Sequence, residues 1–228
     1  MSTLEYSPPK VSRTPRLGMG WFLEMLWGIS IHEISLRYKE SLIGLGWVLL
    51  QPTALTLIFV YIRKIANIPT GDIPYPIFVA TGLVAWSFTS LVSSHAVLAL
   101  SSKAELIKRV PLPKVIFPIS AVFTSLADLL IMGSLVLGLF VYFQIPFSWS
   151  LLWMPLLLSI HVGLMVGIGC FLSLTNILFR DISHATPLLL QLWFFSSPIF
   201  YPFSMVPSEF KELARWNPMA GLIESYRA

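Results

Sequence analysis

Apolar residues fall in long runs along this chain, and the runs predict membrane helices. Leu42 to Ile62 is 21 residues without a charge, which matches the roughly 20 needed to cross a hydrocarbon core. Tyr75 to about Leu98 makes a second run. From Val115 to Phe179 the single charge is Asp128. As one helix that stretch would extend on the order of 100 Å, so it must fold back as two spans. The break is Gln144 to Ser150, where Pro146 sits among polar residues. A last run, Thr186 to Pro207, is charge-free but interrupted by Pro198 and Pro202. Thr186-Pro187 reads as its start, an N-cap followed by proline at the first helical position. Proline removes a backbone donor and clashes with the preceding turn. A membrane helix accepts such breaks only where protein or a water-filled cavity takes up the freed carbonyls. Ser208 to Trp216 and Asn217 to Arg227 follow, each too short to span. The pattern predicts an all-α integral membrane protein with five transmembrane helices, the fifth broken and followed by short re-entrant helices. A broken span of this kind points to a pathway lining or a gate, not a simple anchor.

Two segments outside the spans carry helical patterns. Leu23, Trp27, Ile31, Ile34 and Tyr38 form one stripe, with Glu33, Arg37, Lys39 and Glu40 elsewhere. This predicts an N-terminal helix in the inner interface, although Ile29, Ile31, Ile34, Leu36 and Tyr38 also alternate with period two. It would be a surface anchor or a lever touching a cytosolic partner. Between spans two and three, Ser102 and Glu105 form an S-x-x-E capping box. Pro111 ends that helix after about two turns, with Leu106, Ile107 and Val110 as its apolar residues. A short capped helix in the most basic loop reads as a knob for a partner's groove, or as a basic loop that sets topology.

Composition agrees with the runs. The chain is 56% hydrophobic and 11% charged, against roughly 25% charged in soluble domains, and its mean hydropathy is +0.77. Lys10, Arg13, Arg16, Arg37, Lys39, Lys103, Lys108, Arg109, Lys114 and Arg180 fall on one side of the predicted topology. Arg63, Lys64, Lys211, Arg215 and Arg227 fall on the other. Ten against five places the N-terminus in the cytosol. Residues 1–20 are polar and proline-bearing, a disordered cytosolic tail and not a signal peptide; residues 21–228 form one membrane domain. The lone Cys170 excludes an internal disulfide. No glycine precedes a lysine, so no P-loop is present, and no D-x-D, H-E-x-x-H or G-x-S-x-G motif occurs. The chain reads as a non-enzyme.

Within the spans, Asp128 sits where a charge costs roughly 2.5–3.5 kcal/mol on insertion scales. A contact with His161 at similar depth is one expectation, and a structural polar role outweighs a proton relay. Gly163, Gly167 and Gly169 predict close backbone approach on the fourth span. Arg180-Asp181 reads as a salt bridge closing a helix end. Trp86, Trp149, Trp153 and Tyr75 are interfacial anchors or channel walls. Trp193, Phe194, Phe195, Phe200, Tyr201 and Phe203 crowd the break, as packing residues or as walls on which sugar rings stack.

Several stretches together resemble the membrane subunits of ABC exporters that move lipid-linked polysaccharides such as O-antigen, capsule or teichoic acid. They are Arg37-Tyr-Lys-Glu-Ser-Leu-Ile-Gly-Leu-Gly-Trp47 with Gln51-Pro52, and Leu106-Ile-Lys-Arg-Val-Pro-Leu-Pro113. Phe179-Arg-Asp181, Ser197-Pro-Ile-Phe-Tyr-Pro202, and Asn217-Pro-Met-Ala-Gly-Leu-Ile223 with Arg227 complete the set. The resemblance implies a homodimer in the bacterial inner membrane, moving a polyprenyl-pyrophosphate-linked polysaccharide between its halves. Two copies of a separate P-loop ATPase would use ATP and Mg, with no cofactor in this chain and no nucleic-acid partner. Lys103, Glu105, Leu106, Lys108 and Arg109 would form a coupling helix, with Arg180 and Asp181 as a second ATPase contact. Trp27, Ile31, Ile34, Arg37 and Tyr38 would belong to an interfacial gate helix. Trp86, Phe88, Trp193, Phe194 and Tyr201 would line the channel. The family has a sixth span, so the chain is expected to be C-terminally incomplete beside it. A drug or small-lipid ABC exporter, and a membrane enzyme acting on polyprenyl-linked sugars, are the alternatives.

Overall fold

The computed structural model describes residues 18–39, 46–66, 73–109, 112–146 and 148–227. The expected tail up to residue 17 and residues 40–45 of the first resemblance motif lie outside them, as do the side chains of Tyr38 and Arg109. The elements are α1 (Met19–Lys39), α2 (Gly46–Ala66), α3 (Tyr75–Ala99), α4 (Ala104–Arg109), α5 (Ile116–Tyr142), α6 (Met154–Leu178), α7 (Asp181–Ser196), α8 (Ser208–Arg215) and α9 (Pro218–Arg227). Among the described residues all regular structure is helical. Four segments are long and apolar enough to cross a membrane: Gly46–Ala66, Tyr75–Ala99, Ile116–Tyr142 and Trp149–Leu178.

The third helix is the centre of the bundle. Its apolar window is 72% buried, against 11–28% for the other three. A helix that is apolar on all sides is stable only when surrounded, and α3 packs against α2, α5, α6, α7 and α9. The hairpin after α5 turns where the sequence places it. Gln144 takes a left-handed conformation (φ 54°), the Ile145 amide donates to the Phe140 carbonyl and the Gln144 amide to Val141. This is a Schellman end, with Pro146 preventing continuation. Trp149 and Trp153 beyond it are 85% and 64% exposed.

The first helix carries an exposed apolar stripe of Leu23, Trp27 and Ile31, and on its other face runs alongside α5. Glu33 meets Thr124 and Arg37 meets Asp128, both at a separation of 91 residues. Leu26 and Phe117, the same interval apart, share a buried cluster with Ala99, Leu100 and Ile116. Equal offsets mean that the two helices run side by side in the same direction.

The fifth expected crossing differs from the sequence reading. Its helix begins at Asp181, not at Thr186-Pro187, and Pro187 lies inside it. Thr186 donates its hydroxyl to the Ile182 carbonyl one turn back instead of capping. At 16 residues, α7 is about 24 Å long, short of a full crossing. It stops at Ser196 because Pro198 follows, and the residue before proline is driven out of the helical region; Ser197 is extended at ψ 142°.

Beyond the break, other helices supply the missing donors. Arg227 donates to the carbonyls of Pro198 at 2.8 Å, Ile199 at 2.5 Å and Phe78 at 3.2 Å. Tyr75 donates its hydroxyl to Phe200 at 2.9 Å. Asn217 donates to Ser197 while accepting from Trp193 and from the Met219 amide. The Arg227 guanidinium also lies 3.5 Å from the Phe78 ring centre. Gly82 leaves room for this arrangement: a Cβ there would come within 2.7 Å of Arg227 and 2.9 Å of the Ile199 carbonyl.

The glycines on α6 behave unequally. Gly169 meets Ala96 at 3.1 Å and permits the expected close approach, but Gly163 and Gly167 face open space and serve no contact within the described chain. Gly82→Ala is therefore expected to destabilise the chain by about 1–3 kcal/mol, the cost of displacing a buried donor from its acceptors. Gly163→Ala is expected to be neutral or slightly stabilising. Thermal unfolding in detergent micelles checks both; equal midpoints for the two variants would contradict the packing described.

Candidate functional groove and the basic-loop end

A groove of about 840 Å³ opens between α2, α3, α5 and α7. Its character changes along its length. At the end near the proline break it is aromatic: Trp86 meets Phe194 edge-on at 5.6 Å, and Phe59 of the lining stacks at 4.8 Å, with 7° between the rings, on Phe200, which lies outside the lining. Toward the other end the lining becomes polar, with Ser87, Ser90 and Ser94 on one face of α3 and Gln51, Gln191 and His95 nearby. The serines recur at helical spacing, a signal present in the sequence.

Of the aromatics expected to line a channel, Trp86 and Phe194 do face this groove. Trp193 and Tyr201 line a second cavity of about 890 Å³, beside α8 and the start of α9. Phe88 does neither. It is fully buried and packs with Val92, Val122 and Met165, on the face of α3 directed at α5 and α6. One residue of offset from Ser87 turns it about 100° around the helix. Of the other expected anchors, Tyr75 is fully buried and Trp86 is 7% exposed.

The polar end of the groove is closed by an ion pair. Arg37 of α1 donates to Asp128 at 2.5 Å, with Asp128 almost fully buried and Arg37 29% exposed. Arg37 also lies 3.5 Å from His95, which is 3.4 Å from Ser125. The expected Asp128–His161 contact is replaced by this arrangement. His161 instead meets Thr89 at 2.9 Å and Tyr226 at 3.3 Å, stacked edge-on to Phe88. His161 meets Thr89, whereas the Asp128 pair reaches His95, six residues and about 9 Å further along α3, so the similar depth expected for the two residues does not hold.

At the same end lies the basic loop. Ser102 donates its hydroxyl to Leu98, finishing α3, in place of the expected capping box. Lys103 stands at the N-cap, its carbonyl accepting from Ile107. Of α4, Glu105, Leu106 and Lys108 point outward, while Ile107 packs against the α1 cluster. The ammonium of Lys103 pairs with Glu33, and burial holds its pKa below the ordinary lysine value. Arg180 and Asp181 are exposed at the start of α7, and among the described ion pairs they are not partners of each other. The acid sits in the first turn, where a helix N-terminus favours negative charge. Buried Asn176 joins the two regions, donating to Ser101 at 3.3 Å and accepting from the Ser183 amide at 3.1 Å. Asn176 and His95 were not singled out in the sequence, and Glu33 appeared there only as a residue off the apolar stripe, because none carries a motif and each has a partner far along the chain.

Breaking a buried ion pair leaves an uncompensated charge. Arg37→Gln and Asp128→Asn should each destabilise the chain, with a coupling of about 1–3 kcal/mol in a double-mutant cycle. Asp128→Asn and His161→Ala should add within about 0.5 kcal/mol. Unfolding free energies in mixed micelles check this, and the reverse ordering would restore the Asp128–His161 contact.

The profile of the ABC-2 type transporter family matches residues 25–228. The chain is 31% identical over 202 residues to the O-antigen export system permease protein RfbA of Myxococcus xanthus, covering 86% of this chain and 76% of that protein. It is 29% identical over 215 residues to RfbA of Klebsiella pneumoniae, covering 93% and 82%. With the polysialic acid transport protein KpsM of Escherichia coli it shares 25% identity over 208 residues, covering 86% and 77%. A bundle of apolar helices around a polar-to-aromatic groove, matched over nearly its whole length, belongs to the ABC-2 type transporter family.

Proposed function

We propose that this chain is the permease subunit of an ABC exporter that carries a lipid-linked polysaccharide across the bacterial inner membrane. The observation that supports it best is the groove, polar beside Arg37 and Asp128 and aromatic beside the break. Hydroxyl and amide side chains suit a hydroxylated cargo, and ring faces bind the apolar faces of sugars without demanding one sequence. O-antigen, capsule or teichoic acid are cargoes of this kind. The groove is open on one side. Next to it α2 exposes Trp47, Leu57, Ile58 and Tyr61, a face suited to a second copy that would complete the conduit. Energy would come from ATP and Mg in two copies of a separate P-loop ATPase, docked at the cytosolic end. There α4 presents Glu105, Leu106 and Lys108, and Arg180 and Asp181 lie across the Asn176 bridge. The N-terminus would be cytosolic, and α1 with Trp27, Ile31, Ile34 and Arg37 would border the entrance.

Deleting the chain in its native host should abolish surface polysaccharide and accumulate polymer inside, with restoration by a plasmid copy. Leu106→Asp and Glu105→Ala should reduce co-purification of the ATPase while membrane insertion stays normal. Wild-type yields of the ATPase in both variants would remove α4 from the docking surface.

Trp86→Ala and Phe194→Ala should lower export severalfold at normal chain levels. Phe88→Ala should instead lower stability by about 3–5 kcal/mol, as large-to-small core changes do. Surface-polymer immunoblots beside melting curves distinguish the two classes, and a selective export defect in Phe88→Ala would place it back in the channel.

A further inference from the structure

We infer that Glu33 and Asp128 are positioning residues that make α1 the link between the α4 docking knob and the polar end of the groove. The inference rests on the permease reading above. Three contacts along α1 connect the two places. Ile107, the inward residue of α4, packs in the cluster that holds Leu26. Lys103, immediately before α4, pairs with Glu33, which also accepts from Thr124 at 3.2 Å. One turn further, Arg37 reaches Asp128 in the groove wall. Glu33 and Arg37 are four residues apart and therefore on the same face of α1, so one rigid helix carries both pairs. Displacement of α4 pulls on Glu33 through Lys103, and α1 carries Arg37 with it.

Fixed attachment alone would not call for this chemistry. An acid inside a span is costly to insert, and well-packed apolar residues hold helices together as well or better. What an ion pair adds is direction. It resists sliding between helices and can re-form after it breaks. Lys103 and Glu33 are 27% and 23% exposed, and Arg37 is 29% exposed. None of the three is sealed inside the bundle, so separating these pairs costs less than it would in a closed core. The outer break differs: there a guanidinium only 5% exposed holds backbone carbonyls.

The test follows amide hydrogen exchange in the full chain with its co-purified ATPase subunit, with and without ATP. In wild type, ATP should change exchange in both residues 104–109 and residues 30–39. Glu33→Lys should abolish the change in α1 while ATPase-dependent protection of α4 persists. Glu33→Lys with Lys103→Glu should restore it, and Glu33→Gln should reduce it in case the reversal misfolds. Asp128→Asn should keep the α1 response but separate ATP hydrolysis from export. An unchanged α1 response in Glu33→Lys and Glu33→Gln overturns the inference, as does a loss that the double reversal fails to repair. A wild-type chain that brings down no ATPase overturns the permease reading itself, and the link with it.

Discussion

The structure depends on how the carbonyls around Pro198 find donors inside the bundle, where Ser197, Pro198 and Ile199 are buried. Hydrocarbon offers no hydrogen bonds, and each orphaned backbone group there costs several kcal/mol. Here Arg227 serves Pro198 and Ile199, Tyr75 serves Phe200, and Asn217 serves Ser197. These donors come from both ends of the bundle's order, α3 and the α9 region, so the break fixes where α9 lies against α3. Gly82 completes the arrangement by admitting the guanidinium. With the break held this way, α7 can end early, and Phe194 and Phe200 can gather beside Trp86 and Phe59 at the head of the groove.

Much of this was legible in the sequence because the bilayer permits few solutions. Uncharged runs of the right length gave the four long helices, and Pro146 among polar residues gave the hairpin that Gln144 closes. The prolines at 198 and 202 announced a break and a need for donors. What the sequence could not name was the donor, since Arg227 is about two dozen residues further on and carries no motif that marks it as a carbonyl ligand. The same limit explains Thr186. A threonine before a proline signals a cap, but the helix had already started at Asp181, where an acid in the first turn and Asn176 accepting the Ser183 amide favour initiation. Facing was the other illegible quantity. Phe88 and Trp86 are equally apolar and two positions apart, and only the placement of α3 at the centre of the bundle sends one to the core and the other to the groove.

Polar residues inside the bundle divide by the kind of bond they make. At the break they bind mainly backbone: Arg227, Tyr75 and Asn217 grip carbonyls, an amide and a hydroxyl, and Arg227 also pairs with Glu224 at 3.3 Å. At middle depth His161 joins Thr89 and Tyr226, which fastens α6 and α9 to α3. Toward the basic loop they bind each other as ions, Lys103 with Glu33 and Arg37 with Asp128. Backbone acceptors are fixed to their helices and are satisfied in one geometry. Ion pairs between long side chains tolerate several geometries and can be re-formed after separation.

That division has a mechanical consequence. With α4 as the proposed docking knob, force applied there meets the ion-paired α1 and the first half of α5 before it meets the aromatic head of the groove. The exposed stripe of Leu23, Trp27 and Ile31 supports the same reading. That face also exposes Glu24 and His32, and among the described residues neither has a hydrogen-bond or ion-pair partner that a shift of α1 would break. Its bundle-facing side carries Glu33 and Arg37, and in the proposed linkage any shift must keep them within reach of Lys103 and Asp128. Two ion pairs one helical turn apart therefore set both the path and the limit of α1.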